Sequence, residues 1–362
     1  MTNVWPQWLR INDNLRDLTP YGAPQIEVPT RLNTNENPYS LNSEIQKSIV
    51  SSIASYVENL NRYPDRDATQ LRKSLAQFIN LHSGVSVELT NIWAANGSNE
   101  ILQSIALAFQ GDALGFEPSY SMHPLISRAV GKKWHSIPRK KDFTIDIDAA
   151  LNSIKKINPG IIFITTPNNP TGSSTALDSI SRIAHAAREI NAIVVVDEAY
   201  AEFSSQPSAV TLIEKFPHLI VSRTMSKAFA FAGVRLGYLI ADPIIVDAMH
   251  LIRLPYHLSS LTQAAAMAAL DNQDSLLSDV KRIIESRHHV AKSLRDIGLT
   301  VVESEANFLL VGGFSSEPQE IWKALVDQGI LIRDVGIPGY LRLTIGTESE
   351  NQMLVSALKK LS

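Results

Sequence analysis

The sequence predicts an α/β protein whose larger part is a mostly parallel sheet covered by helices. Short runs rich in isoleucine and valine, such as Ile161–Thr165 and 193–196, alternate with amphipathic segments of helix length, such as 176–190. Short apolar runs between helices are typical of strands that are buried on both faces of a sheet. From residue 299 onward the order of strand-like and helix-like segments changes, which predicts a smaller α+β unit.

Composition narrows the classes of function. The chain has 362 residues, a length typical of about two domains. A net charge of −3 with both signs interspersed indicates neither a nucleic-acid partner nor a membrane surface. The sequence contains no cysteine, which excludes disulfides, cysteine-bound metals and a cysteine nucleophile. The nine histidines show no metal-ligand spacing, so we expect no metal site.

The first residues resemble no secretory signal, because they lack a basic stretch followed by an apolar one. No apolar run approaches the roughly 18 residues that a spanning helix needs. We therefore expect a cytoplasmic protein.

The N-terminal part of the chain begins with an irregular segment, residues 1–42, and then becomes helical. Apolar residues recur at helical spacing over 43–60 and again over 71–79. Residues 91–95 predict a short strand, and a helix is expected to start at Ser98 after an Asn-Gly turn.

The remaining elements predict a division of the chain near residue 259. The expected strands of the large sheet are 113–116, 161–165, 193–196, 219–222 and 237–241. The later segments are helical patterns over 243–252 and 259–297, strands at 299–302 and 307–311, a helix at 317–328, strands near 330–333 and 340–345, and a final helix. We expect an N-terminal segment over 1–42 that packs on the small domain, a large domain over 43–258 and a small domain over 259–362.

One lysine stands out at the end of a predicted strand. The apolar run 219–221 leads into small and hydroxylic residues and then Lys227, and Arg235 follows in a glycine-flanked turn. A lysine among hydroxyls can form a Schiff base with an aldehyde cofactor. Hydroxyls and an arginine close by can hold the phosphate of that cofactor. The alternative is an ordinary solvated lysine.

Two other predicted strands end in polar residues. Asn169 follows the strand 161–165, and Asp197 and Tyr200 follow the strand 193–196. Ligands of open α/β sheets bind outside the carboxyl ends of the strands, so one site is expected to gather these side chains with Lys227. Taken singly, Asn169 is compatible with a turn and Asp197 with a helix N-cap.

The turn before the helix at Ser98 is a further candidate. A helix N-terminus that begins with glycine and serine presents free N–H groups to an anion. The sequence contains neither GxGxxG nor GxxxxGK[ST], so dinucleotide and Walker-type phosphate sites have no support.

These motifs together resemble a known family. The segments Asn-Pro-Thr-Gly at 169–172, Asp-Glu-Ala-Tyr at 197–200 and Ser-Lys at 226–227 resemble the signature of the fold-type-I pyridoxal-phosphate aminotransferases. The chain is more narrowly similar to the histidinol-phosphate aminotransferases along almost its whole length. That similarity is carried by the segments 18–21, 32–38, 61–64, 95–100, 118–120, 332–334 and 341–346.

The resemblance implies pyridoxal 5'-phosphate as cofactor and a role for each strand-end residue. Lys227 would bond the aldehyde, Asp197 would pair with the ring nitrogen, and Tyr200 and Asn169 would bond the phenolic oxygen. Tyr120 would stack on the ring, although an aromatic is also compatible with plain core packing. The phosphate cup would consist of Gly97, Ser98, Asn99, Thr224, Ser226 and Arg235.

The resemblance also implies a homodimer and a substrate. Tyr63 would reach the cofactor phosphate from the neighbouring subunit. Arg333 and Arg342 would bind the phosphate of L-histidinol phosphate and, in the other half-reaction, the α-carboxylate of glutamate. Tyr21, Asn35 and Tyr256 would complete the substrate pocket.

The implied reaction converts L-histidinol phosphate and 2-oxoglutarate to imidazole-acetol phosphate and L-glutamate, in histidine biosynthesis. The alternatives are an aromatic amino-acid aminotransferase, a threonine-phosphate decarboxylase and, outside enzymes, the effector domain of a regulator.

Overall fold

The protein contains one large sheet, a small sheet and a two-stranded pairing. The computed structural model describes residues 5, 6 and 8–361. The strands are β1 (Thr30–Arg31), β2 (Ile92–Ala95), β3 (Ala113–Glu117), β4 (Trp134–Pro138), β5 (Ile161–Thr165), β6 (Ile193–Asp197), β7 (Leu219–Thr224), β8 (Gly237–Ile240), β9 (Thr300–Val301), β10 (Phe308–Gly312), β11 (Ile330–Leu331) and β12 (Tyr340–Thr344).

The helices separate these strands along the chain. They are α1 (Ser43–Val57), α2 (Thr69–Ser83), α3 (Ser98–Ala108), α4 (Met122–Ala129), α5 (Ile147–Ile157), α6 (Leu177–Glu189), α7 (Pro243–Ile252), α8 (Ser260–Asp271), α9 (Gln273–Asp296), α10 (Pro318–Asp327) and α11 (Glu348–Leu361). Within the described part of the chain, none of the helices is both long enough and apolar enough to cross a bilayer.

The large sheet has seven strands in the order β2-β8-β7-β6-β5-β3-β4. Strands β3 to β7 pair in parallel with their neighbours, and β8 runs antiparallel to β7 and β2. The prediction of a mostly parallel sheet is therefore confirmed. The edge strand β4 was not predicted, because its alternating polar residues and terminal proline give only a weak strand pattern.

Both faces of the large sheet are covered by apolar packing. Along β5, Ile161 and Phe163 belong to one buried cluster, whereas Ile162 and Ile164 belong to another. Because successive side chains of a strand point to opposite faces, the two clusters lie on the two sides of the sheet. This arrangement accounts for the continuous apolar runs that identify the central strands in the sequence.

The C-terminal part of the chain forms the small sheet. It has the order β12-β10-β9, with antiparallel neighbours. The helical pattern over 259–297 comprises two helices, which separate at Asn272. Helix α8 follows the predicted boundary near residue 259 and packs on α1. The hydroxyl of Ser52 in α1 donates to the carbonyl of Ala264 in α8 at 3.0 Å.

The N-terminal segment is more ordered than the irregular chain that the sequence predicted. Its strand β1 pairs in parallel with β11, and Asp13–Leu15 forms one turn of 3₁₀-helix. A strand of two residues is too short to show a period in the sequence. The segment also contacts the large sheet's helices, since the amide of Asn14 donates to the carbonyl of Arg128 at 2.8 Å. It therefore bridges both parts of the chain.

Helix α2 allows a test of the packing, because it carries two leucines in opposite environments. Leu75 is 0% exposed, and Leu81 is 68% exposed. We expect Leu75→Ala to destabilise the protein by about 2–5 kcal/mol, since it removes buried methyl groups and leaves a cavity. Leu81→Ala should change stability by less than about 0.5 kcal/mol. Thermal unfolding of the two variants beside the parent protein measures this difference. Equal melting points for the two variants would contradict the packing described for α2.

Candidate active site

A cavity of about 190 Å³ opens at the carboxyl ends of the central strands. In the sheet register, Thr165 of β5 lies opposite Asp197 of β6, and Asp197 lies opposite Ser222 of β7. The strand ends are therefore level, and the residues that follow them meet. The candidate residues that line this cavity are Tyr21, Asn35, Ser98, Asn99, Tyr120, Asn169, Asp197, Tyr200, Thr224, Ser226, Lys227, Arg235 and Arg342.

Asp197 is a buried carboxylate at the last position of β6. Its Oδ2 lies 3.0 Å from Nε2 of the buried His123, and its Oδ1 accepts from the amide of Ala199 at 3.3 Å. Because an ionised carboxylate only accepts hydrogen bonds, His123 is the donor. The His123 ring stacks on Phe163 at 4.8 Å, which fixes its plane. Asp197 is thus held in one orientation at the cavity wall.

Lys227 lines the same cavity, with its Nζ donating to the carbonyl of Thr34 at 2.9 Å. Burial, together with the positive charges of Arg342 and Arg235, lowers the pKa of this amine to about 8, whereas Glu36 opposes the shift. A neutral amine is the form that attacks a carbonyl group. The cavity therefore contains a lysine that is ready to act as a nucleophile or base near neutral pH.

One end of the cavity is built to receive an anion. Ser98 starts α3, and the preceding Gly97 has φ of +86°. A Cβ added at Gly97 would lie 2.6 Å from a guanidinium nitrogen of Arg235. Only glycine allows the backbone and this arginine to approach so closely. The hydroxyl of Thr224 donates to that of Ser226 at 3.0 Å on the same side.

A hydrogen-bonded group of side chains joins the small sheet to the strand ends. Arg342 of β12 donates to Oδ1 of Asn169 at 2.6 Å and to the carbonyl of Asn33 at 2.7 Å. Asn35 donates to the hydroxyl of Tyr200 at 2.9 Å, and burial raises the pKa of Tyr200 to about 12. Among the residues that the structure describes, the buried Nε of Arg342 has no hydrogen-bond partner. This guanidinium is therefore incompletely satisfied at the cavity wall.

Tyr120 lies between the anion end and Asp197. Its hydroxyl donates to Oδ1 of Asn99 at 3.1 Å, and its ring meets the His123 ring edge-on at 5.5 Å. Burial raises the pKa of the Tyr120 phenol well above its usual range. The tyrosine is thus a neutral aromatic wall of the cavity.

Arg333 lines a second cavity, of about 330 Å³, that adjoins the first. Its guanidinium donates to the carbonyl of Gly22 at 3.1 Å and lies 5.8 Å from the centre of the Tyr21 ring. Its backbone pairs with that of Arg342. Tyr21, Tyr120, Asn169 and Arg342 line both cavities, so the two arginines face one continuous space.

Tyr63 and Tyr256 lie outside both cavities. Their rings stack on each other at 4.3 Å with 13° between the planes, and they are 79% and 40% exposed. Within one chain, therefore, neither tyrosine contributes to the site that the other candidates form.

Several residues at the site were not predicted from the sequence, among them His123, Thr34 and Glu36. His123 lies in the first turn of α4, an element that was not assigned from its pattern, and a single histidine carries no signal of its partner. Thr34 acts through its carbonyl, which its side chain does not reveal.

Comparison with known proteins places the chain in a family. The pattern of the family described as aminotransferase class I and II matches residues 28–358. The chain belongs to the class I and II aminotransferases. Among curated members, the histidinol-phosphate aminotransferase of Mycobacterium sp. (strain JLS) is 52% identical over 357 residues, which are 98% of this chain and 94% of that protein. The histidinol-phosphate aminotransferase of Nocardia farcinica is 52% identical over 95% of this chain and 89% of its own length.

Solved structures of aminotransferases share the fold. The histidinol-phosphate aminotransferase from Sinorhizobium meliloti in complex with pyridoxal-5'-phosphate superposes with a TM-score of 0.84 at 24% identity, covering 97% of each chain. The enzyme of the same name from Clostridium acetobutylicum gives a TM-score of 0.82 at 25% identity, covering 91% of this chain and 98% of its own. These superpositions confirm the predicted fold class of this aminotransferase.

The pKa of Lys227 predicts a pH dependence. A lowered pKa means that the neutral amine is already abundant just above pH 8, so the rate at which the cofactor-free protein reacts with pyridoxal phosphate should rise through about pH 8 and then level off. Rapid-mixing absorbance measurements of the lysine-bound cofactor give this profile. Removing a positive neighbour with Arg342→Gln should move the midpoint up, and Glu36→Gln should move it down. A midpoint in the wild type near that of a free lysine would contradict the assignment.

Proposed function

We propose that this aminotransferase uses pyridoxal 5'-phosphate to convert L-histidinol phosphate and 2-oxoglutarate to imidazole-acetol phosphate and L-glutamate, a step of histidine biosynthesis. The observation that carries the proposal is the meeting of Lys227, Asp197, an anion cradle and two arginines around one space. About half of the aligned residues are identical to those of proteins named histidinol-phosphate aminotransferase, which supports the choice of substrate.

The residues of the cavity fit pyridoxal phosphate. The contact between Gly97 and Arg235 leaves a cradle that a Cβ would fill, beside the free N–H groups that begin α3. Lys227 supplies the amine for the aldehyde and Asp197 a carboxylate for the ring nitrogen. The phosphate would be held by Gly97, Ser98, Asn99, Thr224, Ser226 and Arg235, with Tyr120 against the ring and Asn169 and Tyr200 at its phenolic oxygen.

The side chains of the protein have separate tasks in this reaction. Bound pyridoxal phosphate supplies an electron sink for the electron pair that remains when a proton leaves the substrate carbon. Asp197, held by His123, offers a charged acceptor that favours a protonated ring nitrogen. Lys227 would take the proton from the substrate carbon and deliver it to the carbon of the cofactor that carried the aldehyde, a task that its lowered pKa suits.

Arg333 and Arg342 suit a substrate that carries a phosphate. A phosphate dianion accepts more and stronger charge-assisted hydrogen bonds than a carboxylate does. Arg342 lines both cavities, and Arg333 lines the adjoining one beside Tyr21. With Asn35 at the cavity wall, the same arginines would receive the α-carboxylate of glutamate in the second half-reaction.

We also propose a homodimer in which each chain completes the site of the other. Tyr63 and Tyr256 do not line their own cavity, and Leu251 and Leu254, near Tyr256 in sequence, are exposed. Large exposed apolar surface marks an interaction site. In the dimer, Tyr63 would bond the cofactor phosphate of the partner subunit and Tyr256 would line the partner's substrate pocket. The cytoplasmic location expected from the sequence belongs to the same proposal.

A comparison of substrates tests the assignment. Wild-type enzyme should have a higher kcat/KM for histidinol phosphate than for phenylalanine, with 2-oxoglutarate as acceptor. Arg333→Ala should lower kcat/KM for histidinol phosphate by about tenfold to a hundredfold, the worth of roughly 1.5–3 kcal/mol for a bond to a charged group. It should lower the value for phenylalanine less.

The control variant is Arg182→Ala. It removes an exposed arginine that pairs with Asp148 and is not among the site residues, so kcat/KM for both amines should stay unchanged. Equal values for the two amines in the wild type, or a preference for phenylalanine, would instead favour an aromatic amino-acid aminotransferase. Release of carbon dioxide from threonine phosphate would favour the decarboxylase.

A further inference from the structure

The loop that carries Tyr63 runs over residues 58–68 and lies outside the helices α1 and α2 that flank it. Its last residue, Ala68, has φ of +47°, a left-handed conformation that a residue other than glycine adopts only when its surroundings hold it there. Asp65 caps α2 by accepting from the amide of Thr69 at 2.7 Å. The loop therefore has a fixed end, and the position of Tyr63 depends on what holds the rest.

Arg253 ties this loop to a distant part of the chain, as Gln263 also does by donating to the carbonyl of Asp65 at 3.1 Å. Arg253 follows α7, and its guanidinium donates to the carboxylate of Asp67 and, at 3.0 Å, to the carbonyl of Arg66. The Arg253 side chain is only 9% exposed. An arginine whose side chain is largely shielded from solvent and makes two such bonds fixes a backbone more firmly than an exposed ion pair does.

The carboxylate that Arg253 binds remains charged over the working range of pH. Hydrogen bonds from Arg66 and Arg253 hold the pKa of Asp67 well below its usual range. Arg66 is the neighbour of Asp67 in sequence and is exposed, so its ion pair ties the loop only to itself. Of these two arginines, Arg253 is the one that connects the Asp67 carboxylate to a distant part of the chain.

The segment after Arg253 reaches both the Tyr63 loop and the anion end of its own cavity. Tyr256 stacks on Tyr63 at 4.3 Å. His257 lies 2.9 Å from the carbonyl of Ala94, and its own carbonyl accepts from Asn96, which precedes Gly97. The Tyr63 loop is thus in contact with the segment that also supports the cradle, while Tyr63 itself does not line its own cavity.

We propose that Arg253 is a positioning residue for the active site of the partner subunit. By fixing Asp67 and the carbonyl of Arg66, it holds Tyr63 where that tyrosine reaches the cofactor phosphate bound by the other chain. This inference rests on the proposed function, because it requires the shared dimeric site. Its signature is that loss of Arg253 harms the site across the interface and spares the site of its own chain.

Mixed dimers separate these two effects. One chain keeps Lys227 and the other carries Lys227→Ala, so each mixed dimer has a single lysine-bearing site, and that site takes its Tyr63 from the Lys227→Ala chain. We call the site that keeps Lys227 the live site. Arg253→Gln is introduced either into the Lys227→Ala chain, which lies across the interface from the live site, or into the chain that carries Lys227. Both dimers contain the same substitutions, so a general loss of stability affects them equally.

We expect Arg253→Gln across from the live site to lower kcat/KM, and the affinity for pyridoxal phosphate, by about tenfold or more, as for a lost charge-assisted contact. In the chain that owns the live site it should change both by less than about twofold. Arg253→Lys, which keeps an ion pair with Asp67, should restore most of the loss. Arg66→Gln, the matched control, should have little effect in either position.

The cofactor affinity is read from the absorbance of the lysine-bound form, which reports only the site that has Lys227 and needs no substrate. It therefore tests Arg253 even if histidinol phosphate is not turned over, an outcome that would defeat the proposed function alone. Equal losses in the two placements, a larger loss in the chain that owns the live site, or no loss at all would overturn the inference. Tyr63→Ala in the same two placements shows independently whether the site is shared.

Discussion

The rest of the site depends on the hydrogen bonds that the buried carboxylate of Asp197 accepts. A carboxylate taken out of water is costly unless hydrogen bonds and an opposite charge compensate it. Here His123 and one backbone amide supply the bonds within the protein. The remaining face of the carboxylate borders the cavity, so a ligand with a positively charged donor completes the compensation. The stacking of His123 on Phe163 makes that arrangement rigid before any ligand binds.

The positive groups around the cavity are placed to complement this carboxylate. Arg235 lies at the anion end, Arg342 also lines the cavity, and both lower the pKa of Lys227. The arginines thus do two things at once, because they attract anionic groups of a cofactor or substrate and add to the effect of burial in favouring the neutral amine. A site with this distribution suits a ligand that is anionic at its ends and cationic at one ring atom, as pyridoxal phosphate is.

The sequence predicts those parts of the molecule that are encoded by hydrophobic periodicity and by the position of polar residues at strand ends. The runs that become β5, β6 and β7 are buried on both faces, so they stand out as apolar, and parallel pairing brings Asn169, Asp197 and Lys227 together at their ends. His123, by contrast, meets Asp197 only through the packing of α4, a contact 74 residues apart that no local pattern encodes. Strands β1 and β4 are not predicted from the sequence. Strand β1 has only two residues, and the edge strand β4 mixes polar and apolar residues.

The most direct test of this account is the rate of transamination by Asp197→Asn. The amide keeps the shape of the carboxylate but cannot compensate a positive charge, so the variant should still bind pyridoxal phosphate while kcat falls by several orders of magnitude. Absorbance of the bound cofactor and single-turnover kinetics with histidinol phosphate measure the two quantities on one sample. A fall of less than about tenfold, which corresponds to a barrier change of about 1.4 kcal/mol, would contradict the central role of Asp197.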